Sequence, residues 1–219
     1  MGCKREKRRM AHTQIMVAKE RLKLTTAEVM EKMRRADLSK LVIPGRNKGE
    51  RGQALELILG IPNSSALTDL EDGELKTFTV GESIAVTQMG HCLEEVINGQ
   101  VSFTDSKIGE KLRQTIYVAF NRAGQYAGSR LLSQETDAEH YRVLEEDYDA
   151  ICDALRRAYA NNMRIGTTNG PNNLLQIRTK ASKNTAGGYT PMVYKGVELQ
   201  NKVMAFYLKA DFGKKLVQK

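Results

Sequence analysis

Residues 68 to 78, TDLEDGELKTF, place Asp69, Glu71, Asp72 and Glu74 within six positions and follow them with Lys76. Hydrolysis of a phosphodiester needs a hard cation to neutralise developing charge and to acidify a water, and Mg²⁺ takes carboxylate and water oxygens. An acid shortly before a strand, a second acid on the strand and a lysine two residues later could supply that chemistry. Residues two apart on a strand share a face, so Glu74 and Lys76 are expected to point together, with Leu75 turned to the other side. Glu74 would then hold the ion, and Lys76 would orient or polarise the attacking water or meet the charge building on the phosphate. Asp69, five residues earlier, could close the site from the turn. Taken alone, the string is more simply a charged turn entering an edge strand guarded by lysine.

Several elements must position these residues. ELKTFTV alternates Leu75, Thr77 and Thr79 against Lys76, Phe78 and Val80, the pattern of a strand entered from a turn. Upstream, GERGQALELILG sets Ala54, Leu55, Ile58 and Leu59 at helical spacing before the stop signal Gly60, with Glu56 inside that apolar turn. Thr25 to Glu28 has capping-box spacing, with Leu24 and Val29 placed for a staple, which predicts a helix start. Thr136 to Glu139 repeats that spacing before Tyr141, Leu144, Tyr148, Ile151 and Leu155, an amphipathic helix whose acids Glu145, Glu146, Asp147 and Asp149 read as a solvated face. ESIAVTQM, QTIYVAF, LLQIRTK and VMAFYLK supply further strands. Helices mixed with several strands predict an α/β or α+β domain around a mixed sheet.

With 219 residues, 41% of them hydrophobic, and no repeat or low-complexity linker, the chain is expected to form one compact unit. The division expected is a basic N-terminal extension over residues 1–23 and a single domain over 24–219. No apolar run is long enough to cross a bilayer, and the basic N-terminus has no apolar stretch after it, so a cytoplasmic protein without a membrane is expected. Cys3, Cys92 and Cys152 form no CxxC pair and read as buried or idle thiols, while His12, His91 and His140 fit no zinc spacing. GTTNGPNN, residues 166–173, lacks the Gly-Lys-Ser/Thr of a P-loop and reads as a connection. The formal charge of +8 is unevenly spread. Lys/Arg outnumber acids fifteen to six over residues 1–51 and nine to two over 178–219, whereas acids lead eighteen to ten between them. Two basic ends around an acidic centre suit a polyanion partner, although a set of solvated faces is the plainer alternative.

Taken in order, NKGERGQALELILG, TDLEDGELKTFTV, EKLRQTIYVAF, SRLLSQETDAEHYRVLEEDYDAI, LQIRTKA and FYLKADF resemble the MutH mismatch-repair endonuclease and its GATC-cutting restriction relatives. The resemblance runs from about residue 24 to 216 and implies a PD-(D/E)XK restriction-endonuclease-like fold, a mixed central sheet flanked by helices with a DNA cleft between two lobes. It implies that Asp69, Glu74 and Lys76 are the metal-binding and catalytic set, that Glu56 is a further carboxylate at the metal, and that Lys111 belongs to the active site. Lys48, Arg178, Lys180 and Tyr207 match DNA-binding and cleft positions. Arginine can read guanine bidentately, while lysine serves as a phosphate point charge. The turn before ELK is two residues shorter than the family pattern, so Asp69 is the aligned ligand and Asp72 its competitor. Thr179 stands where the family has proline.

The implied activity is Mg²⁺-dependent, sequence-specific hydrolysis of double-stranded DNA at GATC, leaving 5′-phosphates, by a nucleoid-associated protein that is monomeric in solution and able to pair on DNA. The sequence stops at FGKKLVQK without the longer C-terminal helix of the mismatch-repair enzyme, which makes a MutL-type partner doubtful and favours a type II restriction enzyme as the expectation. The alternatives are a MutH-like strand-nicking repair enzyme and a catalytically inactive DNA-binding protein with a nuclease fold.

Overall fold

The computed structural model describes residues 23–43, 48–62, 66–180, 187–189 and 191–217. Almost all of the expected basic extension, with Cys3 and His12, lies outside them. The elements are α1 (Thr26–Arg35), α2 (Lys48–Leu59), β1 (Glu74–Thr79), β2 (Ile84–Gln88), α3 (Leu93–Asn98), α4 (Lys107–Arg113), β3 (Gln114–Phe120), β4 (Tyr126–Ser133), α5 (Ala138–Ala160), β5 (Thr168–Asn169), β6 (Leu175–Thr179), β7 (Pro191–Tyr194), β8 (Val197–Lys202), β9 (Met204–Leu208) and α6 (Ala210–Val217). The fold is mixed α and β, and none of the described helices is long and apolar enough to cross a membrane.

Local signals place α1 as expected. The Thr25 hydroxyl accepts the Glu28 N–H at 3.2 Å, and the Glu28 carboxylate accepts the Thr25 N–H at 2.8 Å, so both halves of the capping box form. α2 ends where predicted, at Gly60, whose φ of 71° suits a residue without Cβ. Its buried face differs from the expected one. Arg51, Leu55 and Leu59 point inward, whereas Ile58 is about half exposed and Leu57 more so. A stripe at i, i+4 and i+8 is narrower than the apolar count suggested, and it leaves the turn carrying Glu56 free to face a cleft.

The strands fall into three sheets among the described residues, not one mixed central sheet. β1 runs parallel to β3, and β3 pairs antiparallel with β4; β2, β9, β6 and β5 form a second, wholly antiparallel sheet; β7 and β8 make a two-stranded ribbon. β1 is hydrogen-bonded to β3 alone and is an edge of its sheet. The first sheet divides the core in two. Leu75, Ile116, Val118 and Phe120 pack with α1 and α2, while Phe78, Tyr117, Ala119 and Leu132 join the second sheet, α5 and α6. Alternation along β1 thus sends Leu75 one way and Phe78 the other.

α5 buries the predicted Tyr141, Leu144, Tyr148, Ile151 and Leu155, but two expectations about it are corrected. Asp137, not Thr136, is the N-cap residue, and Glu139 pairs with Arg142 at 2.7 Å, so no capping box forms there. Asp147 does not belong to a solvated face. It is fully buried, and its carboxylate accepts the backbone N–H groups of Asn172, Leu174 and Leu175 at 2.6, 2.7 and 2.8 Å. One acid thereby ties residues 172–175, at the end of the glycine-asparagine connection, to the middle of α5. Gly170 lies so near that a Cβ there would overlap the Asp147 carboxyl. Cys92 and Cys152 are buried free thiols, as expected, and burial pushes both up to about 12, far from the thiolate state.

Candidate active site

Glu74 opens β1, and its side chain is 1% exposed. A carboxylate so far from water needs partners, because an uncompensated buried charge is costly. Lys76, two residues along the same face, donates to Glu74 Oε1, as the strand period requires. Lys111 reaches the same oxygen from α4 at 2.9 Å. The other oxygen, Oε2, accepts the Asp69 backbone N–H at 3.1 Å. Lys76 therefore points along the sheet face onto an acid instead of guarding the strand edge. Both lysine side chains are largely shielded, at 19% and 15% exposure.

The turn that precedes β1 separates its acids. Asp69 folds back, and its carboxylate accepts the Leu75 N–H at 3.3 Å, which keeps it beside Glu74. Asp72 turns the opposite way. Its two oxygens accept the Thr26 backbone N–H at 2.7 Å and the Thr26 hydroxyl at 3.0 Å, and Gln114 Nε2 donates to it at 3.0 Å. An anion at the first turn of α1 also meets the positive end of the helix dipole. Asp72 is thus engaged in holding α1 against β3, while Asp69 stays with the catalytic candidates.

Glu56 completes the acidic group from α2. Burial, with Asp69 close behind, pushes its carboxyl above the usual range, and Lys76 opposes that shift. Asp69 is likewise pushed up, first by burial and then by the neighbouring Glu74 charge, against the pull of Lys76 and the Leu75 N–H. Acids crowded until their protons are held more tightly are a frequent mark of functional sites.

Glu56, Asp69 and Lys76 line a cleft of about 520 Å³ between α2 and β1 on one side and the second sheet on the other, with Glu74 buried behind Lys76. Arg178 and Lys180 enter from the β6 side and Tyr207 from β9, with the Arg178 guanidinium carbon 4.2 Å from the centre of the Tyr207 ring. That stacking holds the guanidinium in place while leaving its donors free to point outward. Burial lowers the Lys180 ammonium below its usual value, and the positive charge of Lys76 adds to the shift. Lys48 is the first residue of α2, and its side chain lies outside the described residues.

Gly49, Gly52 and Gln53 were not singled out from the sequence, yet they line the cleft beside Glu56. Their offsets of seven, four and three residues from Glu56 put all four on one helical face, and counting back from Glu56 would have found them. Gly52 brings α2 close to β1, since a Cβ there would sit 3.4 Å from Thr77 Oγ1.

Among the described residues, no three His, Cys, Asp or Glu side chains close on one point as a ready-made cage. The Glu74 carboxylate is taken up by its two lysines instead. The donor chemistry nevertheless fits Mg²⁺, which is held by one or two carboxylates with water and phosphate oxygens completing its shell. Glu74 and Asp69 are hard oxygen donors side by side, and a cation between them would relieve the repulsion that adds to burial in raising Asp69. Comparison with models of known protein families and with curated proteins gives no match to this chain.

Proposed function

We propose that this chain is a Mg²⁺-dependent, sequence-specific DNA endonuclease of the MutH-like, PD-(D/E)XK type, acting as a restriction enzyme at GATC. The observation that carries the reading is the buried Glu74 carboxylate, shared by Lys76 and Lys111 and flanked by Asp69, next to a cleft that Asp69, Glu56 and Lys76 line together with Arg178 and Lys180. Two acids, Glu56 and Asp69, and two lysines, Lys76 and Lys180, meet in one open cleft, and phosphoryl chemistry needs both signs of charge there.

Glu74 and Asp69, with Glu56 behind them, would hold Mg²⁺. When bound, the ion supplies positive charge at the phosphate and lowers the pKa of the attacking water. Lys76, released from its contact with Glu74, orients that water and stabilises the hydroxide as its proton leaves. Lys111 and Lys180 meet the negative charge that builds on the phosphate oxygens. A water oxygen forms the new bond to phosphorus as the bond to the 3′ oxygen breaks; the proton lost by that water passes to solvent and the 3′ oxygen takes one up from solvent, leaving a 5′-phosphate and a 3′-hydroxyl. Arg178, braced on Tyr207, faces the duplex as a base-reading group.

Digestion of a GATC-containing plasmid by wild type and Lys76→Ala, with Mg²⁺ or with EDTA, tests the proposal. Linear product from wild type with Mg²⁺ only, and none from the variant, is the expected result. Binding of DNA without cleavage would leave an inactive nuclease fold, and nicked circles as the sole product would move the reading to strand nicking.

A further inference from the structure

Beside the catalytic cleft lies a second hollow, of about 390 Å³, with a different charge character. Lys107, Lys111, Lys180 and His91 line it together with the polar side chains of Thr87 and Gln88, and no carboxylate is among its lining residues. It adjoins the proposed active site through two shared lysines. Lys180 lines both hollows, and Lys111 lines this one while donating to Glu74. The Lys107 ammonium is anchored, not free-swinging. It donates to the His91 carbonyl at 2.7 Å and lies 3.5 Å from Glu95, which leaves one of its three donors for a further acceptor. Lys180 has no ion-pair partner among the described residues, and Lys76 presses on it from the cleft side. Lys107 and Lys111 each have a carboxylate behind them, Glu95 and Glu74, yet no acid lines the hollow itself, so their remaining donors and Lys180 border a space suited to an anion.

We propose that this hollow is a second phosphate site, which takes a phosphodiester of the cut strand next to the one held at Glu74. The inference rests on the endonuclease reading, which supplies the strand. Phosphates recur about every 3.4 Å of axial rise along one strand, so a backbone held at the catalytic carboxylates presents its neighbours to whatever adjoins them. Lys111 and Lys180 stand at the junction and touch both positions, while Lys107, with the ring of His91, belongs to the second alone. The chemistry required is that of an oxyanion with several acceptor oxygens, which ammonium and hydroxyl donors satisfy without reading any base. The site would therefore fix where the strand lies relative to Glu74 and contribute nothing to sequence choice.

The test measures binding of the full-length chain, without Mg²⁺, to a GATC duplex over a series of NaCl concentrations. Lys107→Ala is expected to reduce the slope of log affinity against log salt by about one, whereas Lys214→Ala, on α6 away from both hollows, leaves it unchanged. A second arm keeps the wild-type protein and neutralises single phosphates near GATC as methylphosphonates. One position beside the scissile phosphate should cost wild type several-fold in affinity and cost Lys107→Ala nothing further. Wild type that binds DNA with a slope equal to that of Lys107→Ala, and that tolerates every methylphosphonate, overturns the second site while sparing the endonuclease reading. Inorganic phosphate that competes at constant ionic strength while every methylphosphonate duplex binds normally overturns it in favour of a free-anion site. Failure of wild type to bind or cut DNA at all overturns both.

Discussion

Glu74 and Asp147 are the two most deeply buried acids described, and their partners differ in kind. Asp147 is held by three backbone N–H groups, all within 2.8 Å, which cannot leave without unravelling the start of β6. Glu74 is held by one backbone N–H and by two ammonium groups on long flexible stems. The first arrangement is a fastening. In the second, on the proposed endonuclease reading, either lysine would turn to a new anion and leave Glu74 for a cation, so burial alone does not distinguish an acid that builds the fold from one proposed to do chemistry. The nature of the partner does.

That contrast can be broken most forcefully at the proposed catalytic end. Lys76→Ala should lower the single-turnover cleavage rate about a thousandfold, a barrier change of about 4 kcal/mol. Its melting temperature should hardly move, because Lys111 still compensates Glu74. Asp69→Ala should also suppress Mg²⁺-dependent cleavage, measured on the same duplex. Next in size comes Asp147→Ala, which strands three buried N–H groups and should cost about 3 kcal/mol, lowering the melting temperature by about 6 to 12 °C in a scanning calorimeter. Its cleavage rate per folded molecule, measured well below that transition, should stay near wild type.

Asp72→Ala should cost about 1 kcal/mol through its lost contact with the start of α1, with cleavage unchanged. Equal loss of cleavage in Asp72→Ala and Asp69→Ala would undo the division between the two acids. The smallest effect concerns pH. Because the folded state raises the Glu56 carboxyl above its unfolded value, its ionisation weakens the metal-free fold. Any stabilising contribution from that carboxyl is complete below the unfolded pKa and is lost as pH rises through the raised folded one. In EDTA, Glu56→Gln should therefore be slightly more stable than wild type at pH 7, and denaturant titrations should show the gap closing as pH falls into the carboxylate range.

The legible features in the sequence were those decided by neighbours within a few residues. The capping box of α1 joins residues three apart, Gly60 stops α2, and Glu74 and Lys76 share a face by strand period. Asp147 reads as a surface acid because its partners lie 25 to 28 residues away, beyond any local pattern. Asp72 and Asp69 cannot be separated by spacing either, since Thr26, which claims Asp72, is 46 residues distant. The strands themselves were recognisable, but their partition into sheets was not, because β2 pairs with β9 near the other end of the chain. Glu56 was visible as an acid among apolar neighbours. Spacing puts Gly52 and Gln53 on its helical face; that this face borders a cleft depends on α2 being seated with Leu55 and Leu59 inward, which no local pattern gives.

The most direct test of the division between fastening and chemistry is single-turnover cleavage of a GATC duplex by wild type and Glu74→Gln across a Mg²⁺ titration. Gln keeps the shape of the side chain and removes its charge. Wild type should show a rate that saturates with Mg²⁺ and vanishes in EDTA, while Glu74→Gln binds the duplex yet cuts at least a hundredfold more slowly at every concentration. Cleavage that persists in EDTA, or equal rates for the two proteins, would contradict the account.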